Sequence, residues 1–265
     1  MPPAQQVANA PDSSFVRTAL AVAAESGRAQ FQRMSALSSE RRCISRGGAL
    51  FRSGEPLVAL YEVQTGFFKS CLVDQGGRSQ VTGFQMSGDL LGLDGIGTEC
   101  HCVDAVALED AMVCVIPFVA LNELLKDSSA LQRQFHKVMS REIVRDQAMM
   151  LTLGTMPAEG RIAAFVLDLS QRLFERGFSP SALVLRMTRE EIGSFLGLQI
   201  ETVSRSFSKL HIDGVLEIRN RDVHVLDPVA LRVLAHGGAR SALSLSARLP
   251  APTTTSAAAP RARLG

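Results

Sequence analysis

Residues 187–225 contain the side chains whose types and spacing point to a definite chemistry. Glu201, Ser204 and Arg205 follow one another at helical steps of three and one, which places them on one face of a helix. A guanidinium can pair with guanine O6 and N7, a carboxylate can accept from the cytosine amino group, and a serine hydroxyl suits several bases. The sequence therefore predicts a face that reads base edges in the major groove of DNA.

Further polar groups around this face are suited to binding phosphates, which position a protein on DNA without reading its sequence. We expect such backbone contacts from Thr188, Arg189, Gln199, Thr202, Lys209, Arg219 and Arg221. The apolar residues that should bury the other side of the helix are Ile200, Val203, Phe207 and Leu210. A helical hairpin with a solvated polar face fits the same pattern and stays open as an alternative.

The local sequence also predicts the elements that hold this face in place. Thr188 and Glu191 have the spacing of a capping box, which starts a short helix. Gly197 can end that helix with a positive φ, and the second helix begins near Gln199. Residues 214–226 then alternate and turn like a β-hairpin, which predicts a wing beside a helix-turn-helix.

A long helix is predicted over residues 129–153, which contain no glycine or proline. Steps of three and four along it form a coiled-coil seam, which needs a partner helix. The seam residues are His136, Met139, Ile143, Asp146, Met150 and Leu153. The seam can pack against the same helix of a second subunit or against the chain's own N-terminal domain. A second stripe, formed by Leu131, Phe135 and Val138, could pack on that domain while the seam meets the second subunit.

Residues 41–118 contain short apolar runs separated by turn signals, which is typical of a β-sandwich or barrel. Within them, residues 67–73 and 79–84 read as the two strands of a hairpin. The chain thus divides into five predicted segments. They are a flexible lead-in over 1–35, a sensor barrel over 36–126, a dimerisation helix over 127–154, a DNA-binding domain over 155–237 and a disordered tail over 238–265.

The composition sets the broad class of the protein. A net charge of +2 over 265 residues means that basic groups for DNA have to be concentrated locally. No run approaches the roughly 18 apolar residues of a membrane span, and no secretory signal is recognisable, so we expect no membrane partner. Five cysteines without a regular framework favour a reduced, cytoplasmic setting. Cys43 and Cys71 are expected in the core.

The tripeptide Cys100-His101-Cys102 is unusual because it places three potential soft-metal ligands side by side. Zinc sites usually space their cysteines by two or more residues, and neighbours on a strand point to opposite faces. A metal or redox site and a loop that contains thiols by chance both fit. Cys114 is a further possible ligand, but the sequence predicts no complete metal site.

Motifs in three separate parts of the chain are found together in one protein family. They are Gly88-Asp89-Leu90-Leu91-Gly92 in the first part, Asp146-Gln147 in the long helix, and Leu196-Gly197-Leu198 with Glu201-Thr202-Val203-Ser204-Arg205 near the end. With these motifs, roughly residues 38–237 resemble the CRP/FNR family of bacterial regulators, and the FNR branch most closely.

The resemblance implies an α+β fold: a cyclic-nucleotide-binding-like, cupin-like β-barrel, a long dimerisation helix and a winged helix-turn-helix. It implies a homodimer that binds a TTGAT-N4-ATCAA-like palindrome and regulates transcription, as an activator of genes for anaerobic, redox or metabolic adaptation. Residues 74–78 would be a surface for RNA polymerase. An enzyme or a metal-binding cupin is an alternative for a β-barrel, but no GxSxG, HExxH or P-loop motif occurs, so we expect no enzyme.

The sensor departs from the FNR pattern. Cys114 matches the last cluster ligand of FNR proteins, but no cysteine precedes Cys43, and an iron–sulfur cluster needs about four thiolates. In the CRP branch an arginine grips cyclic AMP, whereas residues 100–105 contain no cation and Asp104 would repel a phosphate. We therefore expect no cofactor. The alternative function is an effector- or metal-binding barrel without sequence-specific DNA binding.

Asp146 suggests how a switch would work. On the predicted seam it faces its twin, and two carboxylates in a partly buried interface repel each other or share a proton. The resemblance implies the same, because an aspartate at this position opposes dimerisation of cluster-free FNR. The hypothesis is that dimerisation gates DNA binding through Asp146.

Overall fold

The structure is a computed structural model that describes residues 40–74 and 76–236. The predicted lead-in over 1–35 and the predicted tail over 238–265 lie outside the described residues. Within the described part of the chain, no helix combines the length and the apolar character needed to cross a membrane.

Eight strands build the N-terminal domain. They are β1 (Glu40–Ile44), β2 (Ala49–Phe51), β3 (Ala59–Thr65), β4 (Phe67–Val73), β5 (Ser79–Met86), β6 (Leu90–Leu91), β7 (Asp104–Ala107) and β8 (Ala111–Pro117). They form two antiparallel sheets with the orders β1-β8-β3-β6 and β2-β7-β4-β5. Phe51 and Phe68 from one sheet are buried with Val63 and Val113 from the other. The predicted two-layered β-domain is thus confirmed.

The predicted hairpin is β4 paired with β5, and β5 continues to Met86. Gln75 in its turn lies outside the described residues. At the preceding connection, Gly66 has a φ of +85°, and a Cβ placed on it would lie 2.6 Å from the Cβ of Ala111. Glycine is required here because both the backbone conformation and the close approach exclude a side chain.

Two helices follow the barrel: α1 (Phe118–Asp127) and α2 (Ser129–Thr155). The Ser128 hydroxyl caps α2 by accepting from the N–H of Leu131 at 3.3 Å. Leu131 and Phe135 are buried with Leu60 of the barrel and Leu121 of α1. The predicted second stripe therefore packs on the chain's own barrel, and Met139 of the seam packs against the same cluster.

The C-terminal domain comprises α3 (Ala158–Glu175), β9 (Ala182–Val184), α4 (Arg189–Leu196), α5 (Ile200–Ile212), β10 (Leu216–Arg219), β11 (Asp222–Val225) and α6 (Pro228–Ala235). Its sheet has the order β10-β11-β9. Residues Ile162, Phe165 and Val166 of α3 fill its core, as the helical pattern predicted. The strand β9 was not predicted, because three residues show no period and the strand exists through its pairing with β11.

The two predictions for single strand cysteines had different outcomes. Cys71 is buried, as expected. The prediction for Cys43 was wrong, since it lies exposed on β1. Adjacent residues on a strand point to opposite sides, and here Ile44 is the neighbour that is buried.

Three aromatic rings join the barrel to the C-terminal domain. Phe84 of β5 lies 6.0 Å from Phe165 of α3 and 5.2 Å from Phe195 of α4, measured between ring centroids, and all three pairs meet edge to face. Such pairs favour one relative orientation over a range of loose contacts, because the positive ring edge meets the negative ring face.

A buried carboxylate lies beside this aromatic contact. Asp89, between β5 and β6, accepts from Arg172 of α3 and from Arg176 directly after α3 at 2.5 Å each, and from the N–H of Met86 at 2.9 Å. Arg172 also donates to the carbonyl oxygen of Phe84 at 2.8 Å. Asp89 and Arg172 are each 7% exposed, so their charges compensate each other in a site that water hardly reaches.

We predict that Asp89→Asn lowers the free energy of unfolding by about 3–5 kcal/mol, because it leaves a buried guanidinium without its countercharge. Urea unfolding of the full chain measures this. The matched control is Asp168→Asn, which removes a half-exposed carboxylate 3.5 Å from the other Nη of Arg172. It should cost less than about 1 kcal/mol. Equal losses for both variants would contradict the assigned role of Asp89.

Candidate DNA interface

The first helix of the pair starts at the predicted capping box. The hydroxyl of Thr188 accepts from the N–H of Glu191 at 3.1 Å, and the carboxylate of Glu191 accepts from the N–H of Thr188 at 2.7 Å. Two of the donors that a helix N-terminus leaves unpaired are thus satisfied. The prediction from the Thr–Glu spacing is confirmed, and α4 has a fixed starting point.

Two glycines shape the turn between α4 and α5. Gly197 ends α4 with a φ of +62°, as predicted. The sequence predicts no structural role for Gly193, yet a Cβ on it would lie 2.6 Å from the carbonyl oxygen of Leu198. The turn folds back onto the first helix, since the N–H of Leu198 also donates to the carbonyl oxygen of Gly193. This close approach helps to set the angle between α4 and α5.

One side of α5 anchors it in the domain core. Val203, Phe207 and Leu210 are buried, as predicted. The expectation that Ile200 is buried was wrong, because its side chain is 45% exposed. Ile200 is the first residue of α5, where the helix projects beyond the core. Ser206, which the apolar pattern could not indicate, is buried instead.

The opposite side of α5 presents the predicted base-reading groups to solvent. Glu201, Ser204 and Arg205 are all exposed. Arg205 has one weak contact, from its Nη2 to the hydroxyl of Thr202 at 3.5 Å. A carboxylate, a hydroxyl and a guanidinium thus share one convex face, and the opposite face is held rigidly in the core.

The predicted backbone-contacting residues surround this face in different states. Gln199 and Arg221 are exposed, and Thr202 is half-buried. The Arg189 guanidinium stacks 3.6 Å above the centre of the Phe207 ring, and its burial lowers the pKa of Arg189. Within the described residues its buried Nη1 has no hydrogen-bond partner, so a contact from this nitrogen to a phosphate would require the Arg189 side chain to move.

Two further predicted contacts are held by carboxylates of the same chain. Lys209 donates to Glu159 at the start of α3, at 2.5 Å. Arg219 in the wing donates twice to Glu217, at 2.6 and 2.9 Å. The wing itself is the hairpin β10–β11, as predicted, and Asn220 turns it with a φ of +58°.

The barrel positions the helix pair through contacts that the sequence did not reveal. Lys69 of β4 donates to Glu191 at 2.8 Å, and the N–H of Val81 on β5 donates to the hydroxyl of Ser194 at 2.9 Å. Burial opposes ionisation of Glu191, but the bonds from Lys69 and Thr188 outweigh it and lower the pKa of Glu191. The carboxylate that caps α4 is therefore also the carboxylate that holds α4 on the sensor.

The predicted seam of α2 is an uncovered apolar face in this single chain. Ile143 and Met150 are 55% and 63% exposed, Met139 is half-buried, and His136 and Asp146 are exposed. Partial desolvation raises the pKa of Asp146, and the neighbouring Arg145 offsets this only in part. Apolar side chains exposed at coiled-coil spacing are typical of a helix that packs against another helix.

A cleft of about 880 Å³ lies between α2, the barrel strands β5 and β6, and helices α3 and α4. The two cations among its lining residues, Arg145 and Arg172, are both paired with carboxylates, Arg145 with Glu142 and Arg172 with Asp89. Neither guanidinium is available to a phosphate without breaking an ion pair. The cleft thus offers a ligand mainly apolar surface, together with arginines that are already paired with carboxylates.

The tripeptide Cys100-His101-Cys102 does not form a ligand set. His101 is buried and stacks on Phe51 with ring centroids 3.6 Å apart, while Cys102 is exposed and donates its N–H to Asp94. Cys114 is buried on β8. Across residues 40–74 and 76–236, no group of three or more His, Cys, Asp or Glu side chains is arranged to hold a metal ion.

Comparison with known proteins gives consistent matches. Residues 41–128 match the family model of the cyclic nucleotide-binding domain, and residues 160–234 match that of the Crp-like helix-turn-helix domain. The transcriptional regulatory protein btr of Bordetella pertussis is 43% identical over 77% of this chain and 85% of its own length. The transcriptional activator protein Anr of Pseudomonas protegens is 44% identical over 74% of this chain and 80% of its own.

A solved structure shows the same architecture. FixK2 from Bradyrhizobium japonicum superposes with a TM-score of 0.68 at 27% identity, and the match covers 76% of this chain and 97% of FixK2. The barrel, the long helix and the winged helix pair therefore occur together in a known protein, in this order.

Proposed function

We propose that this chain, which belongs to the CRP/FNR family of DNA-binding transcription regulators, reads a two-fold symmetric DNA site as a homodimer. Its relatives are regulators and not enzymes, and its helix-turn-helix is the part that binds DNA. Membership of the family alone leaves open which residues read the DNA, how the subunits assemble and which signal the protein senses.

The observation that supports the reading mechanism is the exposed face of α5. In the proposal, Arg205 pairs with guanine, Glu201 accepts from cytosine, and Ser204 lies against the remaining base. Ile200, exposed at the start of α5, is suited to contact a thymine methyl group. A TTGAT-N4-ATCAA-like palindrome offers these groups once to each subunit.

The remaining polar residues bind the phosphates in this proposal. Their donors surround the reading face, so they fix its depth and register in the groove without discriminating between bases. The set comprises Thr188, Arg189, Gln199, Thr202 and Lys209 of the helix pair, and Arg219 and Arg221 of the wing.

Homodimerisation through the seam of α2 places two such faces on one duplex. His136, Met139, Ile143, Asp146 and Met150 would contact their counterparts. The apolar members favour association, whereas the two Asp146 carboxylates repel each other across the interface. A signal that relieves this repulsion would promote DNA binding.

The signal itself is, in our proposal, neither the FNR cluster nor a cyclic nucleotide. The sequence has no cysteine before Cys43, and both cations of the large cleft are held by carboxylates. The chain would work in the cytoplasm, where bacterial DNA is found. By analogy with the transcriptional activator Anr, it would activate transcription. The genes would be those for anaerobic or redox adaptation, as the resemblance to the FNR branch implies.

RNA polymerase is the expected partner for activation. In the turn between β4 and β5, Asp74 accepts both the backbone N–H and the Nε of Arg78, at 2.9 and 2.7 Å. These bonds lower the pKa of Asp74 and so favour its charged form. Exposed charges of this kind are suited to a protein contact.

Gel shifts with a TTGAT-type palindrome test the reading face. We expect Arg205→Ala to cost about 1–3 kcal/mol of binding free energy and to relax base choice at one position, because a bidentate base contact is lost. Lys209→Ala should weaken binding to all sequences alike and flatten the dependence on salt, because a phosphate contact is lost. Identical behaviour of the two variants would show that the groove assignment is wrong.

Sedimentation tests the assembly. Asp146→Ala should shift the full chain toward the dimer, because it removes the paired charge from the seam. Glu123→Ala removes an exposed carboxylate from α1, away from the seam, and should leave the distribution unchanged. A wild-type level of dimer in Asp146→Ala would remove Asp146 from the proposed switch.

Elemental analysis and a visible spectrum of anaerobically purified protein test the signal. We expect less than one iron per chain and no charge-transfer bands, because too few thiolates are available for a cluster. Stoichiometric iron with an oxygen-sensitive absorption would overturn this part of the proposal and leave the DNA assignment intact.

A further inference from the structure

Two of the cations beside the reading face are paired with carboxylates in the free protein. The Nζ of Lys209 lies 2.5 Å from Glu159, and the guanidinium of Arg219 lies 2.6 Å from Glu217. These donors are also the ones that a DNA phosphate would need. Binding DNA would therefore replace one oxygen anion by another at both positions.

We propose that Glu159 and Glu217 are built-in counterions, which DNA phosphates have to displace and which thereby limit the electrostatic part of the affinity. The inference rests on the proposed DNA-binding role of Lys209 and Arg219. It adds two residues that touch no base and yet set how tightly, and over what range of salt, the protein holds DNA.

The exposure of the two pairs supports an exchange of this kind. Lys209 is 56% exposed and Arg219 is 77% exposed, whereas Glu159 and Glu217 are 35% and 33% exposed. The cations are thus more accessible to an incoming phosphate than the carboxylates that pair with them. Ion pairs at such exposed positions contribute little to folding, so DNA can break them at little cost to stability.

Each carboxylate stays close to its cation when a phosphate arrives. Glu159 lies in the first turn of α3, where the positive end of the helix dipole favours its charge, so it remains near Lys209 after the ion pair is broken. The incoming phosphate then meets a negative charge as well as a positive one. Removing that negative charge should strengthen binding.

The salt dependence gives a second signature. A phosphate that is neutralised by a lysine releases condensed cations, and this release makes binding weaken as salt rises. A carboxylate freed by the same event attracts a cation back, which offsets part of the release. Without the carboxylate, the slope of log K against log salt should become steeper.

The opposite role for Glu159 is to hold Lys209 in the orientation that DNA requires. That role predicts the opposite signs: weaker binding and a flatter slope when the carboxylate is removed. The two roles are therefore separable by the direction of one measurement.

The test uses Glu159→Gln in the full chain and follows binding by fluorescence anisotropy across a series of salt concentrations. The probes are a TTGAT-type palindrome and a scrambled duplex of the same length. We expect roughly two- to fivefold tighter binding to both duplexes at low salt. The slope should steepen by up to about 0.9. Glu217→Gln should change both quantities in the same direction.

Two controls isolate the pair from net charge. Glu175→Gln makes the same charge change at the other end of α3 and should have little effect, since Glu175 lies beside Gln171 and not beside a DNA-facing cation. In the Lys209→Ala background, Glu159→Gln should increase the DNA affinity much less than it does in the wild-type chain. An equal gain in the control or in that background would overturn the proposal, as would weaker binding by Glu159→Gln itself.

The scrambled duplex keeps the two proposals apart. A wild-type chain that binds both duplexes equally would refute the proposed reading of sequence, while the effect of Glu159→Gln on general binding would still be measured. Preference for the palindrome together with an unchanged slope in Glu159→Gln would refute the counterion role alone.

Discussion

The position of the DNA-reading domain depends on a single buried carboxylate. Asp89 belongs to the barrel, and both of its oxygens are occupied by guanidinium groups of the C-terminal domain, those of Arg172 in α3 and of Arg176 directly after it. A buried, hydrogen-bonded charge pair fixes geometry more strictly than apolar contact does, because charge-assisted hydrogen bonds require defined distances and angles. Because this pair holds the C-terminal domain against the barrel, the aromatic cluster and the Lys69–Glu191 pair can form between the same two domains.

The local elements could be predicted because their signals are local. A capping box, a helix-ending glycine and a three-four apolar spacing each lie within a few residues, and they located α4, α5 and the wing. The errors have the same explanation. Ile200 follows the helical period but lies at a helix end, where the period does not decide burial, and β9 is held by its partner strand rather than by its own pattern.

The contacts between domains could not be predicted in this way. Lys69 bonds Glu191, and Asp89 bonds Arg172, across about 80 to 120 residues of intervening chain. A lysine in a strand and a glutamate in a capping box each have an adequate local explanation, namely solvent exposure and helix initiation. Nothing in the sequence signals that the carboxylate of Glu191 both starts α4 and contacts the barrel. For Asp89, the Gly88-Asp89 motif does mark the position as one of interest.

The hydrogen bond from Val81 to Ser194 has a consequence for the protein on its own. The strand β5 is the outer strand of its sheet, and α4 covers part of its free edge. Uncovered sheet edges recruit strands from other molecules. A rearrangement that lifts the helix pair away from the barrel would therefore expose the unpaired edge of β5. The first helix of the DNA-binding pair thus also protects the chain against aggregation.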